Sequence, residues 1–457
     1  MSNFTNSTPE ELRLLGEEFK SKFSISSLQT LANQTGMVRR NRKCRAQDLV
    51  SLCVFLSQTI GTESLVSLCA KLSRTTGVCL SAQGLNERFN ERTVQFLKRL
   101  FLQVFQKKIC PVTTSLVNRF TRIRILDSTS FQLPSSYADT YKGHGGGGSE
   151  AGVKIQLEYD LISGEFLETH VGNAVSNDCR YGQKRTQTLE PGELSLRDLG
   201  YFSMDDLEKI SERQAFYVSR IRWNTQVYQK GKDDTWILLN LEELTKELSE
   251  GQTLELSEVY IGFHQKHKTR LVIYRLTKAE WTKRLAHHKK EKKKMPKSAS
   301  RINLLITNVS KENLPYDQVY GLYSLRWQIE ILFETWKSIF HIHQVKPMKI
   351  ERFQCHLYGQ LIGLCLVASI TYRMRKWIWE KKQKEISEYK CVYIIQIYFL
   401  SIHDVLFKTF QHPVSVLTRL FQELVKNGGK ARRYKKRTPF DILGITQEYT
   451  MGLHQAV

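Results

Sequence analysis

The chain has 457 residues, which is enough for one large hydrophobic core or for two to three domains. It carries 68 lysines and arginines against 45 acidic residues, a formal net charge of +23. This clustered excess argues against a merely soluble basic protein and predicts a polyanionic partner, nucleic acid first and anionic membrane second.

The cysteines and the apolar segments indicate the cellular compartment in which the protein works. The nine cysteines include no C-x-x-C pair and lie mostly in apolar segments, so we expect small hydrophobes in a reducing cytosol rather than zinc ligands or disulfides. The N-terminus lacks the basic region and apolar core of a secretory signal. The most apolar run, 361–370, is too short to span a bilayer and predicts a buried helix. We therefore expect no membrane partner.

The first part of the chain, 1–110, is predicted to be all-helical. Apolar residues recur with helical spacing in 46–56 and 64–72, Gly77 predicts a break, and Ser81 can cap a further helix. That last predicted helix contains Gly84, Leu85, Arg88, Phe89, Arg92 and Phe96.

A helix, a glycine turn and a capped helix are compatible with a helix-turn-helix DNA reader, and equally with a plain helical bundle. A cluster of basic residues lies just upstream and would suit phosphate contacts: Arg39, Arg40, Arg42, Lys43 and Arg45.

The next part, 111–223, changes to strands and predicts an α/β domain. Its predicted strands are 122–127, 131–133, 153–161, 165–171 and 215–221, with a helix from Ser203 to about Arg213. Asp127 closes the first strand, and Asp198 stands directly before a Leu-Gly turn. The glycine-rich stretch 143–148 lacks the Lys-Ser/Thr ending of a phosphate loop, so we interpret it as a flexible connection.

Residues 224–300 interrupt this plan and predict a β-rich insertion. Alternating segments at 236–241, 253–262 and 269–276 predict strands. The basic run 283–297 predicts a mobile, positively charged arm. Its two histidines, His287 and His288, are typical of solvated residues rather than metal ligands.

The segment 301–345 is predicted to resume the core with strand 302–307 and a long helix, for which Pro315 suits the first turn. Within it, 323–337 has no Gly or Pro and predicts continuous helix. Its polar residues Tyr323, Arg326, Glu330 and Lys337 fall within about 60° of one another on a helical wheel. An ordinary amphipathic helix with surface charges would give the same stripe.

The remainder, 346–457, predicts further helices at 359–372 and 392–410 and a basic tail. The tail, 426–437, has seven basic residues and no acidic one. Such a tail is typical of disorder, of nonspecific DNA contact or of a dimer-contact region, and these alternatives are compatible.

The spacing Tyr-x2-Arg-x3-Glu-x6-Lys resembles the signature of a branch of bacterial insertion-sequence transposases, in the DDE superfamily with an RNase H-like catalytic domain. Asp127 and Asp198, in this order before Glu330, strengthen that resemblance, which covers about 100–345. The β-rich insertion before the glutamate also matches the branch.

The resemblance implies a catalytic, metal-binding triad of Asp127, Asp198 and Glu330, with Mg²⁺ as the cofactor and Mn²⁺ possible. Carboxylate oxygens suit Mg²⁺, and phosphodiester cleavage by two metal ions needs several carboxylates that converge. The other motif residues, Tyr323, Arg326 and Lys337, would contact the DNA end, mainly its phosphates. Glu334 lies on the same stripe, and only the motif selects Glu330 over it.

The implied function is cut-and-paste transposition at the terminal inverted repeats of an insertion sequence. The N-terminal helices would recognise the repeats, and the family implies a hairpin intermediate and a homodimer in the synaptic complex. The implied location is the bacterial cytoplasm, in association with the nucleoid. An inactive or domesticated DNA-binding relative and an RNase H-like nuclease without strand transfer remain alternatives. Related enzymes use an insertion-domain tryptophan to stabilise a flipped base, and Trp236 and Trp281 are both candidates.

Overall fold

The computed structural model describes residues 10–38, 44–56, 60–105, 119–146, 148–201, 203–264, 266–291, 301–408, 412–430 and 438–444. Within this part of the chain, ten strands form one mixed sheet in the order β3-β2-β1-β4-β5-β10-β9-β8-β6-β7. The strands are β1 Ile123–Leu133, β2 Ala151–Asp160, β3 Phe166–Asn173, β4 Leu194–Arg197, β5 Phe216–Arg220, β6 Val227–Lys230, β7 Trp236–Leu238, β8 Thr253–Ile261, β9 His267–Arg275 and β10 Ile302–Thr307.

The helices divide between the two ends of the chain and the connections of the sheet. Those before and within the sheet are α1 Glu10–Lys22, α2 Ile25–Gln34, α3 Ala46–Val50, α4 Leu65–Thr76, α5 Ala82–Arg88, α6 Glu91–Phe105, α7 Asp178–Thr186, α8 Met204–Glu212, α9 Leu241–Lys246 and α10 Lys278–Glu291. Those after it are α11 Tyr316–Ser324, α12 Trp327–Ser338, α13 Ile350–Lys382, α14 Glu388–Ile397, α15 Phe399–Phe407, α16 Val414–Asn427 and α17 Pro439–Leu443.

The first five strands of the sheet form an RNase H-like core. β1 pairs antiparallel with β2 and parallel with β4, and β4 pairs parallel with β5. Helices α7 and α8 connect these strands, as expected because parallel strands need crossover connections. Strands that alternate with helices in one mixed sheet agree with the predicted α/β domain, so the α/β fold class is confirmed.

The inserted segment extends this same sheet. β10 pairs antiparallel with both β5 and β9. The inserted strands β9, β8, β6 and β7 therefore extend the sheet on the far side of β10 from β5. The strand predicted at 236–241 ends at Leu238, because the Asn240 side chain accepts hydrogen bonds from the backbone of Glu242 and Glu243 and starts α9. The domain boundaries inferred from the sequence remain predictions.

The N-terminal helices confirm the predicted break at Gly77 and the predicted cap at Ser81, but the helix that follows differs from the prediction. The side chains of Ser64 and Ser81 cap α4 and α5, and Gly77 ends α4 with a left-handed backbone, φ +76°. The helix predicted to run through Phe96 is instead divided between α5 and α6. The Asn90 side chain accepts the backbone N–H groups of Arg92 and Thr93, which starts a new helix.

The apolar run 361–370 lies in a much longer helix than predicted. It belongs to α13, which has 33 residues and is long and apolar enough to cross a membrane by length and composition. Most of its apolar stretch is buried inside the protein, as in the core helix of a soluble domain. α13 approaches the N-terminal segment closely, since a Cβ added at Gly359 would clash with the Cys53 carbonyl oxygen.

Several predicted basic features lie wholly or partly outside the described residues. These are the upstream cluster at 39–43, the tail at 431–437 and the arm at 292–300. The beginning of the arm is described and is helical, because α10 continues to Glu291. This first part of the arm is therefore helical, and its mobility stays a prediction.

Candidate active site

The parallel pairing of β1 with β4 brings the two predicted aspartates together. The ladder runs from Ile123 beside Leu194 to Leu126 beside Arg197, so the next residues in the same register are Asp127 and Asp198. Neighbouring strands lie about 4.8 Å apart, which places the two carboxylates on adjacent chains. Asp127 does not end its strand as predicted, because β1 continues in its pairing with β2 as far as Leu133.

The motif helix is interrupted where the sequence predicts continuity. α11 ends at Ser324 and α12 begins at Trp327, although Leu325 and Arg326 keep right-handed helical backbone angles. The amides of Leu325 and Arg326 bond to the carbonyls three residues back, the tighter spacing of a 3₁₀ turn. This break without Gly or Pro puts Arg326 at the start of α12 and Glu330 one turn further along.

One guanidinium contacts all three predicted acidic residues. Arg326 Nη1 lies 3.0 Å from Asp127 Oδ2, and its Nε lies 3.9 Å from Asp198 Oδ1. Its Nη2 donates to Glu330 Oε1. Asp127 is 20% exposed, whereas Asp198 and Glu330 are each 38% exposed. Three carboxylates from distant parts of the chain therefore meet around one cation, with access from solvent.

The other two motif residues lie on either side of this group. The Tyr323 hydroxyl donates to Asp198 Oδ1 at 3.3 Å, and the ring is buried. Lys337 Nζ donates to the Ser130 carbonyl oxygen at 3.3 Å, three residues beyond Asp127 on β1. The stripe predicted from helical spacing therefore faces the middle of β1 and the turn after β4.

The charge around Arg326 is unbalanced. Burial raises the pKa of Asp127 to about 6; the Arg326 cation opposes this rise, while the charges of Asp198 and Glu330 add to it. Burial alone would lower the pKa of Arg326, but the surrounding carboxylates, Asp198 foremost, raise it above its ordinary value. One fixed cation faces three acidic groups, so the group as a whole attracts further positive charge.

The donor set fits a hard divalent cation. Within the described ranges, no three His, Cys, Asp or Glu residues are arranged to hold a metal ion in these positions. The three carboxylates nevertheless all reach one cation, and oxygen donors with an excess of negative charge are what Mg²⁺ or Mn²⁺ requires. A divalent ion would have to take over contacts that Arg326 now makes.

The remaining sequence candidates lie elsewhere. Glu334 is exposed, and it interacts electrostatically with Lys337 rather than with Arg326. Trp236 is 42% exposed on the edge strand β7 and packs edge-on against Tyr260. Trp281 lies under the Arg301 guanidinium, 4.1 Å from its ring centre.

The opposite face of the sheet carries a buried polar chain that the sequence analysis did not single out. Tyr201, three residues after Asp198, donates its hydroxyl to Gln156 Oε1 at 2.6 Å. Gln156 Nε2 donates to Asp178 Oδ1 at 2.5 Å, and Ser128 Oγ donates to the same oxygen at 3.3 Å. Only the closeness of Tyr201 to Asp198 in RDLGYF could have suggested this group.

Sequence comparison matches this chain to transposases, both through a family model and through individual relatives. Residues 118–366 match a family model described as "Transposase DDE domain". The chain is 42% identical to the "Transposase for insertion sequence element IS231E" of Bacillus thuringiensis subsp. finitimus, over 96% of this chain and 97% of that one. It is 33% identical to the corresponding protein of IS1151 from Clostridium perfringens, over 95% and 97% of the two chains.

Among solved structures, the chain is similar to a piggyBac transposase synaptic complex with hairpin DNA. The TM-score is 0.43 and the sequence identity 11%, over 97% of this chain and 88% of that one.

Proposed function

Because the chain belongs to the DDE transposases of insertion sequences, enzymes that cut and join DNA, we propose that Asp127, Asp198 and Glu330 carry out this chemistry at the terminal inverted repeats of its own element. The observation that supports the proposal best is the meeting of these three side chains around the Arg326 guanidinium. Strand pairing supplies the first two, and α12 supplies the third.

The proposed cofactor is Mg²⁺, which Mn²⁺ can replace, held by the same three carboxylates. When bound, such ions lower the pKa of the attacking water or 3′-hydroxyl and stabilise the leaving oxygen. The protein contributes the positions of the carboxylates, two on the sheet and one on a helix. Partial burial of Asp127 strengthens its interaction with a cation compared with the same contact in bulk water.

The basic motif residues serve the DNA in this proposal. Lys337 is half-buried beside β1, and burial lowers the pKa of its amine below the ordinary value. A phosphate near Ser130 would offer the Lys337 ammonium an anionic acceptor in place of a neutral backbone carbonyl. Arg326 would exchange its carboxylates for a phosphate at the cleavage site, for which its planar donor groups are well suited.

The proposed partners are the two transposon ends, the target DNA and a second copy of the chain in the synaptic complex. The net charge of +23 supplies affinity for phosphates that does not depend on base sequence. Recognition of the terminal repeats is assigned to the N-terminal helices, which place α5 after the turn at Gly77.

The decisive experiment incubates the purified chain with DNA that carries the flanking ends of its own gene, with and without Mg²⁺. We expect excision and joined products only with the metal. Glu330→Gln should reduce cleavage at least about 1,000-fold, as expected for loss of a group that acts in the transition state, and should leave end binding intact.

Glu334→Gln is the matched control, because it changes the same residue type one turn further along α12. We expect less than a threefold effect on cleavage. Cleavage without joined products would instead indicate a nuclease, and end binding without any cleavage would indicate a DNA-binding regulator. Equal loss in both glutamine variants would contradict the assignment of Glu330.

A further inference from the structure

The polar chain behind the sheet connects the two segments that carry the proposed aspartates. Gln156 and Tyr201 are 2% and 3% exposed, so the hydrogen bond between them is made in the protein interior, whereas the Asp178 side chain, 32% exposed, lies at its margin. Gln156 pairs directly with Ser128 across β1 and β2, which puts both side chains on one face of the sheet. That face is the reverse of the one on which Asp127 meets Arg326, because successive strand residues alternate.

Tyr201 ties the turn after β4 to this chain. The Tyr201 amide donates to the Asp198 carbonyl oxygen at 3.0 Å, so its backbone closes the turn that Asp198 begins. Its ring packs close to Gly182 of α7, where an added Cβ would approach the ring at 3.2 Å. The hydroxyl then reaches Gln156 Oε1 on β2, two strands away from β4. The turn is thus fixed to a strand with which β4 does not pair.

Asp178 completes the connection at the start of α7. It accepts from Gln156, from Ser128 and from Lys154 Nζ, the last at 3.1 Å. Ser128 in turn uses its backbone amide to donate to Asp127 Oδ1 at 2.8 Å. Lys154 supplies the counter-charge of Asp178, so this fourth acidic residue is a structural acceptor with partners of its own.

We propose that Gln156 and Tyr201 are positioning residues that set the spacing of Asp127 and Asp198 from behind the sheet. The inference rests on the proposed function, in which these two aspartates share divalent ions. The backbone pairing between β1 and β4 ends at Leu126 and Arg197, one residue before each aspartate. The side-chain connection from Tyr201 through Gln156 and Asp178 to Ser128 continues the link past that point. A metal site tolerates errors in ligand position of only a few tenths of an ångström, so loosening this link should weaken metal binding.

The test is Tyr201→Phe in the full-length protein, with Mn²⁺ binding followed by electron paramagnetic resonance. This change removes one hydroxyl and keeps the ring against α7. We expect the Kd for Mn²⁺ to rise about tenfold, within the range typical of lost outer-shell contacts. The Mg²⁺ concentration that gives half-maximal cleavage should rise in parallel, while binding of end DNA stays unchanged.

Tyr217→Phe is the matched control. Tyr217 is fully buried in β5 of the same sheet, and its hydroxyl makes comparable hydrogen bonds, 2.9 Å to Thr269 and 3.0 Å to His267. We expect a similar loss of Tm and a Kd for Mn²⁺ within twofold of the wild type. If Tyr201→Phe behaves in the same way, its hydroxyl is merely structural and the inference is wrong.

Gln156→Met provides a second variant of similar volume, should Tyr201→Phe fail to fold. We expect Gln156→Met to weaken Mn²⁺ binding to the same degree as Tyr201→Phe. The double variant should bind Mn²⁺ as tightly as either single variant, because each change breaks the same link. Additive effects would overturn the inference. Asp127→Asn separates the two levels of argument: if it binds Mn²⁺ as the wild type does, the proposed metal site itself fails. If it loses binding while Tyr201→Phe and Gln156→Met retain it, only the positioning role fails.

Discussion

Two groups of arginines and carboxylates lie three residues apart on β1 and differ in balance and exposure. The sealed cluster consists of Arg122, Arg124, Arg185, Glu158, Glu168 and Glu193. The open cluster consists of Arg326, Asp127, Asp198 and Glu330. Three cations meet three anions in the first, whereas one cation meets three anions in the second.

Exposure differs at the centre of the two clusters, although Glu168, at the margin of the sealed cluster, is itself 39% exposed. Glu158 and Glu193 are only 3% and 1% exposed, and every cation of the sealed cluster has a carboxylate partner. Asp198 and Glu330 in the open cluster are each 38% exposed. A balanced group with a buried centre holds the core of the sheet in one arrangement. An unbalanced group that solvent can reach is prepared to accept another cation.

Breaking the sealed cluster should have the largest effect on stability. Glu158→Gln would leave Arg124 and Arg185 buried without their shared carboxylate, and loss of one partner from a buried ion pair costs about 3–5 kcal/mol. Urea unfolding followed by circular dichroism should show this loss. Asp127→Asn is the control from the open cluster and should cost less than about 1 kcal/mol, because it relieves repulsion from two other carboxylates. Equal losses would remove the distinction between the clusters.

His356, outside both clusters, tests how burial without a charged partner affects an ionisable group. His356 on α13 is 1% exposed, and among the described residues neither ring nitrogen has a hydrogen-bond partner. Burial first, and repulsion from Arg352 second, lower its pKa to about 4. The unfolded chain therefore takes up a proton near pH 6.5 that the folded chain refuses until about pH 4, so stability should fall as the pH is lowered through this window. The full effect is about 3 kcal/mol.

The measurement compares the free energy of unfolding of the wild type and His356→Met at pH 7 and pH 4.5. His356→Met keeps a similar side-chain volume but has no group that takes up a proton. The free energy of unfolding should therefore fall more in the wild type than in the variant between pH 7 and pH 4.5. Any advantage of the wild type at pH 7 should shrink or reverse at pH 4.5. A difference that does not change with pH would contradict the burial of a neutral His356.

The smallest expected effect concerns the cation of the open cluster. Arg326→Gln removes the charge that competes with a metal, so the free protein should bind Mn²⁺ about tenfold more tightly, or about 1.4 kcal/mol. Titration of the free protein, followed by electron paramagnetic resonance, measures this change. Arg326→Lys keeps the charge and should stay within about threefold of the wild type. Weaker Mn²⁺ binding in the glutamine variant would mean that Arg326 assembles the carboxylates rather than competes for them.

Local patterns in the sequence were sufficient for most elements and for the meeting of the aspartates. Alternation predicted the first part of β1, and the Leu-Gly turn marked the position of Asp198. The parallel pairing of β1 with β4 brings Asp127, within β1, beside Asp198, directly after β4. The helix cap at Ser81 was also predicted correctly, because a cap depends only on neighbours in the chain.

Features that depend on distant partners were missed. The interruption at Leu325 and Arg326 has no local breaker and coincides with the contacts that draw Arg326 towards strands far away in sequence. The continuity of the sheet through β10 required knowledge of strand pairing. The link from Tyr201 to Gln156 depends on the register of β1 and β2, which no single segment encodes. The break at Asn90 was the exception, since a local cap signal was present there.

The position of Arg326 has a consequence for when the proposed site can bind metal. Its guanidinium contacts all three carboxylates in this structure, so a divalent ion bound there would have to compete with a cation that is attached to the protein. Under the proposed function, a DNA phosphate that draws Arg326 away would free those carboxylates, and metal loading would then depend on bound substrate.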